Sequence, residues 1–184
     1  MALCLITSGL TVTCTKLLQA GGSKPRFWAF NLDDLTAQVD VTSTTAITAL
    51  TFDTYKGLYV FEGPPEGHTF GWEEVVAAGG NKAIKHNAIV KLISGSNADN
   101  AAIRALLAGS KLGFVAEHNN RTFRIYGAQS GMQSAAGTQS QGQNNTADVS
   151  DVLTFAGNGE EYLPLYFLDT DYATTLAKLV GYEA

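Results

Sequence analysis

The chain has 184 residues, enough for one domain with a sizeable core, and its 45% hydrophobic and 16% charged residues exclude disorder as the main state. Twelve Lys and Arg against seventeen Asp and Glu give a net charge of −5, which excludes binding driven by neutralising many phosphates. Nineteen glycines with few charges and abundant Thr, Ser, Asn and Gln fit a β-rich protein with a polar, uncharged surface.

Taken in chain order, the N-terminal run Ala2–Ile6 has no cationic segment before it and breaks at Thr7, so it does not read as a secretory signal. Cys4 and Cys14 are expected as free thiols, and no stretch approaches the roughly 20 apolar residues of a membrane helix. Short apolar or alternating runs then follow one another between Gly, Pro, Asn and Asp, the pattern of antiparallel strands. Strands are predicted at Arg26–Asn31, Thr45–Phe52, Gly57–Glu62, Thr69–Val75 and Ile84–Ile93. In the last of these Ile84, Ala88, Val90 and Leu92 share one face with His86, while Lys85, Asn87 and Lys91 point the other way. Asp99–Ala108 carries Ile103, Leu106 and Leu107 at helical spacing behind an Asn97 or Asp99 cap and before Gly109, so one flanking helix is expected at about 97–109. Leu112–His118 and Arg121–Gly127 read as a hairpin turning at Asn119-Asn120, with Phe114 and Ala116 meeting Phe123 and Ile125 on one buried face. Gln129–Thr146 is nearly all Gln, Ser, Gly, Ala, Asn and Thr, and residues 129–147 are expected to form a long loop, flexible or ordered by assembly. Within it Met132, Gln133, Gln139, Gln141, Gln143 and Asn144 are the candidate assembly residues, and deleting Gln133–Asn144 is expected to leave the monomer folded. Strands at Asp151–Ala156 and Tyr162–Leu168 and a short helix over Asp171–Val180 complete a single mainly β domain, an antiparallel sandwich or barrel.

No catalytic pattern emerges. His68, His86 and His118 are too far apart for metal-ligand spacing, and His86 reads as a hydrogen-bonded core histidine. Gly127-Ala128-Gln129-Ser130-Gly131 places its serine one position too late for a nucleophile elbow, and Gly157-Asn158-Gly159 does not continue as a phosphate-binding loop. The acidic pairs Asp33-Asp34, Glu73-Glu74 and Glu160-Glu161 would point to opposite faces on a strand, so they are read as polar edges. The chain is therefore expected to be no enzyme and to need no cofactor or metal. Charge is uneven: from Asp148 onward seven acids face Lys178 alone, while Lys82, Lys85, Lys91, Arg121 and Arg124 concentrate the positive charge upstream. With Asp148, Asp151, Glu160 and Glu161, these cations are candidates for a head-to-tail interface between copies or for a lumen.

Three blocks carry a resemblance to a known family. They are Thr7-Ser8-Gly9-Leu10 with Gly21-Gly22-Ser23-Lys24 and Phe27-Trp28-Ala29-Phe30-Asn31-Leu32-Asp33-Asp34; Leu112–Gly127; and Leu153-Thr154-Phe155-Ala156-Gly157 with Glu161 and Leu163-Pro164. In that order they resemble tail tube proteins of tailed phages, in particular those of phages of Bacteroidetes and related hosts; Thr36–Ala83 is least matched. The resemblance implies a virion protein made in the host cytoplasm, a β-sandwich with a flanking helix. Its copies would form stacked, hexameric rings that meet other tail proteins and pass DNA without binding it specifically, with no membrane partner. Neighbouring sheets would join into the inner wall. Two other readings are a different virion component, such as a decoration, completion or injection-system tube protein, and a glycan-binding sandwich stacking sugars on Trp28 or Trp72.

Overall fold

The computed structural model describes residues 26–40, 46–64, 67–76, 82–118, 121–140, 150–157, 159–160 and 162–184. Cys4, Cys14, Gln141, Gln143, Asn144, Asp148 and Glu161 lie outside them, as do the first two motifs of the N-terminal block. Among them the fold is mainly β: nine antiparallel strands in one sheet with two α-helices. The strands are β1 (Arg26–Asn31), β2 (Tyr59–Glu62), β3 (Thr69–Val76), β4 (Lys82–Leu92), β5 (Leu112–Glu117), β6 (Phe123–Tyr126), β7 (Met132–Ser140), β8 (Ser150–Gly157) and β9 (Leu165–Phe167). The helices are α1 (Asn97–Ala108) and α2 (Tyr172–Gly181).

The strand order β2-β1-β5-β7-β8-β4-β3, with β6 and β9 added beside β5, divides into two half-sheets. One contains β2, β1, β5, β6 and β9; the other contains β7, β8, β4 and β3; the pair Leu112↔Met132 is the strand pairing that joins them. The two face each other, because residues far apart in strand order share one core. Phe27 of β1 meets Phe70 of β3 at 5.7 Å between ring centroids, and Phe114 of β5 meets Phe155 of β8 at 5.1 Å. Val90, Leu92 and Leu153 fill the same space, and Ile103 and Leu106 of α1 pack against it. The opposite face of the first half-sheet is covered too. Trp28, Phe30, Val115, Phe123 and Ile125 form a second core with Leu179 of α2 and with Leu50 and Val39 from the long connection after β1. Each large apolar side chain buried this way contributes about 1.5–3 kcal/mol.

Local signals explain most of these elements. Ser96 caps α1 by accepting the Asp99 amide at 3.1 Å, so the cap falls one residue before Asn97 and three before Asp99, the two expected positions. Asp171 caps α2 by accepting the Thr174 amide at 2.8 Å, as its position predicts. The hairpin of β5 and β6 forms, yet its register corrects the expected face. Val115 pairs with Ile125 and Glu117 with Phe123, so Phe123 and Ile125 belong to the second core while Phe114 and Ala116 belong to the first. The cause is a longer turn: the Arg121 amide donates to the His118 carbonyl, and the His118 amide to that of Thr122. Over Thr45–Phe52 no strand forms among the described residues; Ile47 and Phe52 make single bridges and pack on the second core instead.

The largest correction concerns the expected loop at 129–147. Met132–Ser140 is strand β7, paired along its length with β8, and Met132 is fully buried. The backbone ladder supplies the pairing that an apolar face supplies elsewhere. Deleting Gln133–Asn144 would therefore remove most of a strand from the sheet, and the expectation of an undisturbed monomer does not stand.

Candidate functional site

The second half-sheet has one face on the core and one open to solvent. Along its outward face run Glu73 and Val75 of β3, Lys85, Asn87, Ile89 and Lys91 of β4, Val152, Thr154 and Ala156 of β8, and Gln133, Ala136 and Thr138 of β7. None of these is buried. The alternation that predicted β4 from sequence produces this arrangement directly: from His86 onward its even-numbered residues are buried in the core and its odd-numbered ones line the open face. Both outer strands leave backbone unpaired among the described residues. β3 pairs with β4 alone, and β7 beyond Met132 pairs with β8 alone.

The β3–β4 hairpin extends past the core. Trp72, Val75 and Val76 are exposed on it, Trp72 at 48%. Each of its faces carries a cross-strand ion pair, Glu73–Lys85 at 3.1 Å and Glu74–Lys82 at 2.7 Å. The hydrogen bond from Lys85 holds the Glu73 carboxyl below its usual range, and the bond to Glu74 raises Lys82. Two of the predicted cations are thus matched within their own hairpin.

The other candidates scatter. Arg121 and Arg124 sit on the first half-sheet, each over an aromatic ring: Arg121 over Tyr172 at 5.9 Å, and Arg124 over Tyr166 at 4.3 Å with its guanidinium donating to the Tyr166 hydroxyl. Asp151 and Glu160 are 7% and 2% exposed, so the expectation that they present charge at a surface is corrected. Glu160 faces inward because its carboxylate accepts the Gln129 and Ser130 amides at 3.1 and 3.0 Å; burial raises its pKa against these bonds. Asp151 follows the inward parity of β8. Gln133 and Gln139 lie exposed on β7, while Met132 belongs to the core. Trp28 is fully buried, its indole N–H donating to Glu183 at 2.9 Å, so it offers no sugar platform.

A cleft of about 490 Å³ opens between the turn after β1 and residues 128–130, with Asp33 and Lys111 paired across it at 3.6 Å. Among the described residues no group of three or more His, Cys, Asp or Glu is placed to hold a metal ion, and no helix is long and apolar enough to cross a membrane. No protein-family model, curated protein or solved structure matches the chain. The main feature of the geometry, a half-sheet with two edges unpaired among the described residues, is only half legible in the sequence: β3 and β4 carry alternation, whereas β7 has none.

Proposed function

We propose that the chain is a structural subunit that assembles side by side through its sheet edges, and that the assembly is the tail tube of a phage virion. The observation that carries this reading is the open half-sheet, whose edges β3 and β7 are unpaired among the described residues. Exposed edges of eight and nine residues template further pairing unless they are blunted or matched. The four strands alternate in direction, so β3 of one copy laid beside β7 of the next continues the antiparallel order. Repetition of that contact is heterologous and closes into a ring when the rotation between copies fits. The open faces then become one continuous wall of Thr, Ala, Val, Ile, Asn and Gln, whose charged groups are the neutralised pair Glu73–Lys85 and Lys91. Such a wall offers passing DNA few cations to hold it.

Concentrated protein viewed by negative-stain electron microscopy is expected to show rings or tubes of uniform diameter. Persistent monomer by sedimentation, across protein concentration and salt, would overturn the reading. Stoichiometry in virions separates the tube from a completion protein, because a tube subunit is present in many copies.

A further inference from the structure

Between Tyr126 at the end of β6 and Met132 at the start of β7 the chain leaves the sheet and returns to it. Tyr126 lies opposite Phe114 and Met132 opposite Leu112, so β6 and β7 follow the same side of β5 with residues 127–131 looped out between them. The loop therefore stands at the joint between the half-sheets. Both its ends are glycines with left-handed backbone, Gly127 at φ 68° and Gly131 at φ 75°. A Cβ on Gly127 would sit 2.8 Å from the Leu112 carbonyl oxygen.

Two titratable side chains hold this loop. The Gly127 amide donates to Nδ1 of His86 at 2.9 Å, and the Gln129 and Ser130 amides donate to the Glu160 carboxylate. His86 comes from β4, across the joint, and its Nε2 donates to the Tyr162 carbonyl at 3.1 Å, which fixes the tautomer that leaves Nδ1 free to accept. Glu160 is tied to the same strand by backbone bonds with Ile84 at 2.6 and 2.8 Å, so both anchors belong to one unit.

The geometry points to a proton-operated release of one end of the loop: neutral His86 holds Gly127, the imidazolium form of His86 cannot, and Glu160 keeps an acceptor for the other end in either state. An imidazolium carries a proton on both nitrogens, so Nδ1 would set a donor against the Gly127 N–H. A protonated carboxyl still has an acceptor oxygen. The energetics run the same way. Burial pushes the His86 pKa down to about 4, so the held loop favours the neutral ring, and its grip weakens as pH falls from about 6.5 toward 4. Burial raises the Glu160 pKa, so uptake of a proton there does not oppose the closed loop. The groups around His86 among the described residues are Tyr126, edge-on to the ring with its own pKa pushed up to about 12, and Trp72, its partner across the β3–β4 ladder. Charged and titratable groups beside these are His118, whose Nε2 lies 3.0 Å from the Tyr126 hydroxyl and whose own pKa burial lowers, Arg124 near the same hydroxyl, the paired Glu73 and Lys85, and, beside the loop, the paired Asp33 and Lys111. The Tyr126 and Trp72 side chains carry no charge that changes between pH 7 and 4.

The test is amide hydrogen exchange of the full chain by NMR between pH 7 and 4, corrected for intrinsic rates, with His86 titrated in the same samples. The Gly127 opening constant is expected to rise about 100-fold as the imidazole protonates, while amides of Phe114 and Phe155 keep their protection. His86→Gln, which supplies a neutral acceptor, should flatten the Gly127 response. Unchanged Gly127 protection through the His86 titration would overturn the inference, as would an imidazole titrating near its ordinary value or a loss of protection shared with Phe114 and Phe155. If His86→Gln fails to fold, the comparison of Gly127 with Phe114 and Phe155 in the native protein still decides.

Discussion

Strand β1 is buried on both faces and β4 on one, and the contrast separates the two half-sheets. Arg26–Asn31 carries apolar residues at both parities, with Phe27 and Ala29 in one core and Trp28 and Phe30 in the other. Lys82–Leu92 alternates, so one of its faces is left to solvent. A continuous apolar run thus marks a strand sandwiched between layers, and strict alternation marks one whose second face is free for another use.

Substitutions probe that division, from the largest effect on the monomer to the smallest. Trp28→Ala or Phe114→Ala should each cost about 3–5 kcal/mol in urea unfolding, whereas Ile89→Ala on the open face should cost far less. Equal losses at the two places would dissolve the contrast. At the joint, Gly127→Ala meets both the left-handed backbone and the Leu112 carbonyl, and should cost about 1–3 kcal/mol by the same measurement. Ser96→Ala removes the cap of α1 and should cost about 1 kcal/mol, read as a lower urea midpoint with an unchanged slope. Smallest for the monomer, and largest for assembly, is Val75→Lys with Val76→Lys on the β3 edge. Thermal unfolding should shift by less than the equivalent of about 0.5 kcal/mol while rings disappear from micrographs. Rings that survive these lysines would exclude β3 from the contact.

The same contrast explains what sequence reading captures. Strands β1, β4, β5, β6 and β8 and both helices are legible because apolar side chains at period two or 3.6 point into a core. Strand β7 is not, since Gln133–Ser140 holds its place by backbone pairing to β8 and carries no apolar stripe. The facing of Phe123 and Ile125 is hidden for another reason: a turn longer by one residue flips every side chain that follows, and composition does not count turn residues. Ile47, Leu50 and Phe52 are correctly apolar but serve as plugs rather than rungs. At the candidate site the hairpin lysines are legible as cations, while their partners Glu73 and Glu74 emerge only with the register of β3 on β4. Glu160 reads as surface charge because nothing in sequence reveals the amides that draw it inward.

The single joint at Leu112↔Met132 also has a kinetic consequence. β3 with β4, β5 with β6 and β7 with β8 pair neighbouring segments, whereas Leu92 of β4 must find Asp151 of β8 about 60 residues away and Phe27 of β1 must find Ala116 of β5 about 90 residues away. Local pairings close fast and distant ones slowly. The separate hairpins are therefore expected to take shape first, and newly made chains pass through an interval in which adhesive strand edges exist before the aromatic core is sealed.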